Sequence, residues 1–200
     1  RAVDQLAPSS SSERSIMKPV QQAKRLLCTV FAAITLAVGL AGCAGPQIQD
    51  YAQETPKLDL RQYFNGPIKA HGIFTDRQGR VVKRFVVDMQ ASWVGNQGTL
   101  DERFTYSDGT QQQRIWHLTD LGNGRYSGRA DDVVGEAAGE SAGNALRWGY
   151  TLALPVDGRI WHVQFDDWMF LMDGHTMINK AQMSKFGIRL GEVTLSFTKP

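Results

Sequence analysis

Adjacent carboxylates are the first groups in this chain to test for chemistry, since two acids in one cleft can divide general acid and base work. The pairs Asp131-Asp132 and Asp166-Asp167 are such neighbours. Neighbours on a strand point to opposite faces, which is poor geometry for a shared proton. A hydrolase acting through Asp166 or Asp167 would therefore need one of them in an open cleft beside a second titratable group. The histidines, His71, His117, His162 and His175, are dispersed and show none of the short spacings of a metal site. His162 shares a face with Gln164, which suits an outward position. There is no Gly-x-Ser-x-Gly elbow and no phosphate-binding loop, and Gly187-Ile-Arg-Leu-Gly191 reads as a turn. Both cysteines, Cys28 and Cys43, precede the part expected to fold, so that part has no thiol for catalysis, a disulfide or a metal. The pattern points away from an enzyme, a metal or a cofactor. It points towards binding.

Polar residues on apolar faces are the sharper signal. In Leu100–Tyr106 the residues Leu100, Phe104 and Tyr106 share a face, and Glu102 sits among them. In the next segment Arg114 shares a face with Trp116 and Leu118. A hairpin turning about Asp108 sets Glu102 opposite Arg114, Phe104 opposite Gln112 and Leu100 opposite Trp116. Asp167 falls on the face of Trp161, Val163, Phe165 and Met169, and Asp166 on the other. Asn179 and Lys185 fall on the face of Met177, Ala181 and Met183. With Trp116 and Trp148 from the same apolar faces, the candidate ligand-binding residues are Glu102, Arg114, Trp116, Trp148, Asp167, Asn179 and Lys185. Two readings stay open. The charges form a self-satisfied buried network that fixes strand register, or they anchor a ligand head group in an apolar interior.

The elements that must position these residues are strands. Phe85, Val87, Met89, Ala91 and Trp93 alternate with polar residues, as do Leu146, Trp148, Tyr150, Leu152 and Leu154, and again Val193, Leu195 and Phe197. Turn signals separate such runs at Asp76–Gly79, Gly95–Gly98, Asp108-Gly109, Gly122-Asn123-Gly124, Asp157-Gly158 and Asp173-Gly174. The expected fold is all-β, an antiparallel up-and-down, lipocalin-like barrel of about eight to nine strands. A short helical stretch fits only Leu58–Phe64. Gly135, Ala137, Ala138, Gly139, Ser141, Ala142, Gly143 and Gly149 crowd residues 135–149, which read as a surface loop or a gate at the mouth.

The start of the chain has a different composition. Residues 1–16 are Ser-rich and read as an extension upstream of a start at Met17. Residues 17–42 read as a signal peptide: Lys18, Lys24 and Arg25, then an uncharged apolar stretch from Leu26 to Leu40, then Ala41 and Gly42. That stretch is shorter than the roughly 20 residues of a spanning helix. Leu40-Ala41-Gly42-Cys43 resembles the lipobox of bacterial lipoproteins, which implies lipid attachment at Cys43. Ala44 after it, in place of Asp, implies the outer membrane, facing the periplasm. Residues 43–62 read as lipidated Cys and tether, and 63–200 as the barrel. Beyond Cys43 the chain holds 17 basic and 18 acidic residues, once the five basic and two acidic ones before it are set aside from totals of 22 and 20. Near-neutral charge without a basic patch gives no footing for nucleic acid.

Several blocks together resemble a known family. They are Gly98-Thr-Leu-Asp-Glu-Arg-Phe-Thr-Tyr-Ser-Asp-Gly109 with Arg114-Ile-Trp116, then Asp131-Asp-Val-Val-Gly135, Gly143-Asn-Ala145, Asp166-Asp-Trp-Met169 and Asn179-Lys-Ala-Gln-Met-Ser-Lys-Phe-Gly187. The resemblance is to a proteobacterial lipoprotein family known as domain of unknown function 3833, and it runs from about Tyr63 to Lys199. It implies a small envelope lipoprotein and carries no activity over. Glu102, Arg114 and Asp167 are among its signature residues. The expectation is then a lipid-anchored barrel that binds or carries a lipid, a fatty acid or another apolar small molecule. The alternative is an envelope interaction module whose barrel is only a scaffold, with tryptophans as partner anchors.

Overall fold

Each run of alternating residues forms one strand of a meander, and the glycines between runs adopt the left-handed backbone that tight turns require. In the computed structural model, which describes residues 45–200, the strands are β1 (Gly66–Asp76), β2 (Val81–Val94), β3 (Gln97–Tyr106), β4 (Gln111–Gly122), β5 (Arg125–Arg129), β6 (Ala137–Ala142), β7 (Ala145–Val156), β8 (Arg159–Leu171), β9 (Thr176–Lys185) and β10 (Ile188–Thr198). Each pairs antiparallel with the next, and β1 pairs with β10, so the sheet closes into a barrel with no free edge. The β3–β4 register is the one expected: Glu102 opposite Arg114, Phe104 opposite Gln112, Leu100 opposite Trp116. Inward positions such as Val87, Leu146 and Met177 form the core.

The barrel has ten strands rather than eight or nine. The difference lies in residues 135–149, which are neither loop nor gate but β6 and the start of β7. Their small side chains make room for Trp148. A Cβ placed on Gly128 would lie 2.8 Å from the Trp148 ring, and one on Gly139 would overlap it outright. Glycine in a strand here marks a close approach rather than a break. Gly139→Ala should therefore cost about 1–3 kcal/mol by overpacking, read as a lower urea midpoint. Gly149→Ala, whose added carbon meets nothing nearer than 4.0 Å, is the matched control. Likewise Gly187–Gly191 is not one turn. Phe186-Gly187 makes the turn, and Ile188 already begins β10.

Residues 46–62 are not a loose tether either, because Ile48, Leu58 and Leu60 are buried and Pro46–Pro200 is one unit. Ile48–Tyr51 is a 3-10 turn whose Tyr51 ring meets Trp168 and Phe170 on the outside of β8. The expected short helix is α1 (Leu60–Tyr63), capped by Asp59, whose carboxylate accepts from the Arg61 and Gln62 amides. Several bonds fix this segment across one end of the barrel. The Leu58 amide donates to Gly143 O, the Trp93 indole to Phe64 O, the Tyr63 hydroxyl to His175 O, and Lys199 Nζ to Gln62 O and Asn65 O. Leu60 and Phe64 thereby become the floor of the interior. The opposite end carries the β1–β2, β3–β4, β7–β8 and β9–β10 turns. It is the mouth.

Candidate functional site

The side chains of the inner face do not fill the barrel. A cavity of about 770 Å³ runs from Leu60 and Phe64 at the floor to Lys83, Thr110 and Pro155 near the mouth. That size lies within the range of small-molecule sites. Most of its wall is apolar, with Met89, Leu100, Phe165 and Phe197 contributed by four different strands. Trp116 stands edge-on to both Trp148 and Tyr150, at 5.7 and 5.3 Å between ring centroids, and Tyr150 stacks on Phe165 at 4.9 Å.

Within this wall lies a polar cluster. Glu102, Arg114, Asp167 and Asn179 all line the cavity, from β3, β4, β8 and β9. Arg114 and Glu102 are opposite each other, yet their nearest approach is 4.0 Å. The short bonds of Arg114 go instead to Asp132, Nε to Oδ1 at 2.9 Å and Nη2 to Oδ2 at 2.7 Å. Alternation could not show this partner, because Asp132 lies in the β5–β6 loop. That loop is held against β7 through Val134 N to Thr151 O and Ala153 N to Asp132 O. The Arg114–Asp132 fork thus closes the wall where β5 and β6 are short. Asp132 itself has no part in an acid pair with Asp131.

Burial governs the ionisation of the cluster. Loss of water raises Glu102 to about 7, against the opposing field of Arg114 and a hydrogen bond from Trp116. It raises Asp167 to about 8, with the Asp166 charge adding to the shift while Arg114 and Tyr150 oppose it. Tyr150 is likewise pushed well above its ordinary value by burial. Arg114 stays charged because its bonds to Asp132 and the Glu102 charge outweigh its own desolvation. Two cavity-lining residues keep an oxygen with no protein partner among the described residues, Oδ1 of Asp167 and Oδ1 of Asn179. The Asn179 amide nitrogen reaches only Trp168 O, at 3.5 Å. Such buried acceptors call for a donor from water or a ligand.

Other residues fall elsewhere. Lys185 does not line the cavity. It sits at the rim, bonded to His162 O and 4.8 Å from the Trp161 ring. Trp161 is 41% exposed rather than inward, because it lies beyond the last β8–β9 pair, Gln164 with Ser184. Asp166 lies on the outer face in a fork with Arg147, at 2.7 and 3.0 Å, so it shares no cleft with Asp167. Among the described residues no three His, Cys, Asp or Glu side chains converge as a metal site. Cys43 and the expected signal peptide lie outside the described residues.

The fold is a closed antiparallel, lipocalin-like barrel around an apolar cavity with a polar cluster on its wall. The chain belongs to the family described as "Protein of unknown function (DUF3833)", whose model matches residues 37–199. Its fold is similar to that of the S-type phycobiliprotein lyase CPES from Guillardia theta. The TM-score is 0.55 at 6% identity, over 78% of this chain and 98% of that one. At that identity the likeness concerns the fold. Among curated proteins no sequence match is found.

Proposed function

We propose that this protein binds an apolar small molecule inside the barrel, its tail against the aromatic wall and a hydrogen-bond-donating head at Asp167 and Asn179. The observation that carries the reading is the unfilled apolar cavity with two unpartnered buried oxygens on its wall. Head-group chemistry follows from the charges. Two basic side chains line the cavity, and each already holds a carboxylate: Arg114 holds Asp132, and Lys83 holds Asp108 at 3.0 Å. A fatty-acid carboxylate would find no free cation there and would lie beside Glu102 and Asp167. A hydroxyl, amide or amine head suits the acceptors better, which favours neutral or cationic lipids and other donor-bearing apolar molecules.

The proposal includes attachment to an envelope membrane through a lipid on Cys43, with the barrel facing the periplasm. Its support is the Leu40–Cys43 run, together with a family match that begins at residue 37 and so takes in that run. The reading as a scaffold without ligand is disfavoured by the open interior. Native mass spectrometry of protein purified from a bacterial envelope, with extraction of whatever accompanies it, tests the proposal. The expected result is a one-to-one adduct of an apolar, donor-bearing molecule that is lost in Asp167→Ala. Protein that is always empty, or an anionic adduct indifferent to that substitution, would count against it.

A further inference from the structure

The mouth is chemically lopsided. The β7–β8, β9–β10 and β1–β2 tips adjoin one another, since β8 pairs with β9 and β10 with β1. On these tips Ile160, Trp161, Phe186, Ile188 and Val82 stand in solvent, Phe186 at 87% exposure and Ile160 at 63%. Arg77, Arg80, Arg159, Lys185 and Arg189 are interleaved with them. Asp76 and Asp157 are the acids on the same tips, with Glu192 just behind them; Arg80 holds Asp76 and Arg189 holds Glu192. Arg77 and Arg159 make no ion pair among the described residues. The rest of the rim is mostly polar and its charges are largely paired: Lys83 holds Asp108 and Arg129 holds Glu136, beside Ser107, Asp131 and an exposed Val134.

Phe186 shows that the apolar tips are more than accidents of exposure. Its φ is 50°, a left-handed conformation that the turns elsewhere give to glycine, Asn123 or Asp157. A bulky residue there is strained, and its ring gains nothing from the core in return. Lys185 Nζ lies 4.8 Å from the Trp161 ring and 4.9 Å from the Phe186 ring, which draws the β8 end and the β9–β10 tip together. Aromatic and aliphatic tips set among unpaired cations complement one surface in particular. Lipid head groups offer phosphates over an apolar layer, and Trp, Phe and basic side chains partition there.

We infer that this half of the mouth docks on an anionic phospholipid bilayer. Phe186, Ile188, Ile160 and Trp161 enter the head-group layer, and Arg77, Arg159 and Lys185 meet its phosphates. The contact goes beyond ligand binding and sets the cavity opening beside the membrane. Residues 46–200 supply all ten strands and the core named above, and so serve as the test protein. They would be sedimented with vesicles of phosphatidylcholine alone or with about a third phosphatidylglycerol. Binding to the anionic vesicles is expected, weakened by added salt. Phe186→Ser with Ile188→Ser should reduce it about tenfold or more with the melting temperature unchanged, and Phe186→Trp should restore it in part. No binding to either vesicle, or binding that the double substitution leaves intact, overturns the inference. So does a wild-type dimer that the double substitution dissociates, which would assign the patch to a second copy. Failure here leaves the cavity reading standing, since that reading is judged by its adduct alone.

Discussion

Asp132→Ala is expected to lower the free energy of unfolding by about 3 kcal/mol, the lower part of the range for breaking a buried ion pair. Arg114 is the buried partner, with its side chain 12% exposed, whereas that of Asp132 is 28% exposed. Removing the carboxylate leaves a guanidinium facing an apolar cavity, with Glu102 at 4.0 Å as its remaining nearby acid. It also frees the β5–β6 loop from β4. Replacing both partners, Arg114→Met with Asp132→Ala, should recover much of the loss, because no charge is then stranded. Urea unfolding with an unchanged m-value reads both effects. A loss below about 1 kcal/mol for the single variant would mean that water or Glu102 already satisfies Arg114.

The empty protein should become less stable as pH rises from about 5 to 9, the reverse of an ordinary carboxylate-stabilised fold. Asp167 and Glu102 have folded-state values of about 8 and about 7, above those of an unfolded chain. Between the unfolded and folded values the native state holds more protons, so its stability is full below about pH 4 on this count and is lost as pH climbs through 7 and 8. Asp76, Asp101 and Asp173 are shifted downwards and act only at the acid end, where stability falls as they protonate. The window from 5 to 9 therefore belongs to the cavity acids. Asp167→Asn keeps the shape and cannot ionise. Its advantage over wild type should grow by on the order of 3 kcal/mol between pH 5.5 and pH 9. Thermal melts across that range decide the matter, and parallel profiles for the two proteins would remove Asp167 as the cause.

What could be read from the sequence was whatever depends on a period of two. Alternation about the Asp108-Gly109 turn placed Glu102, Arg114 and Trp116 on the inner face, alternation in their own segments placed Trp148, Asp167 and Asn179 there, and all six line the cavity. Parity failed for Lys185 and Trp161 because it does not register where a strand outruns its neighbour. Asp132 was invisible as the partner of Arg114 because a loop has no period and the contact joins distant segments. The small residues of β6 read as loop because a strand selected to admit Trp148 loses the β-branched composition that strands ordinarily show. The role of Leu60 and Phe64 was hidden for a similar reason: a floor made from a short irregular segment depends on where the barrel end happens to lie.

The most direct measurement is a titration of residues 46–200 with three molecules that share one chain and differ in the head: oleyl alcohol, oleylamine and oleate. Trp116 and Trp148 line the cavity and report occupancy through their fluorescence. At pH 8.5, where Asp167 with its value of about 8 is largely ionised, the alcohol and the amine should saturate at one equivalent, with Kd values about tenfold or more below that of oleate. Asp167→Ala should erase that preference by weakening the alcohol and the amine to the level of oleate. Oleate binding as tightly as the other two would show that the cavity does not select a donor head. Failure of all three to saturate would contradict the binding-barrel account itself.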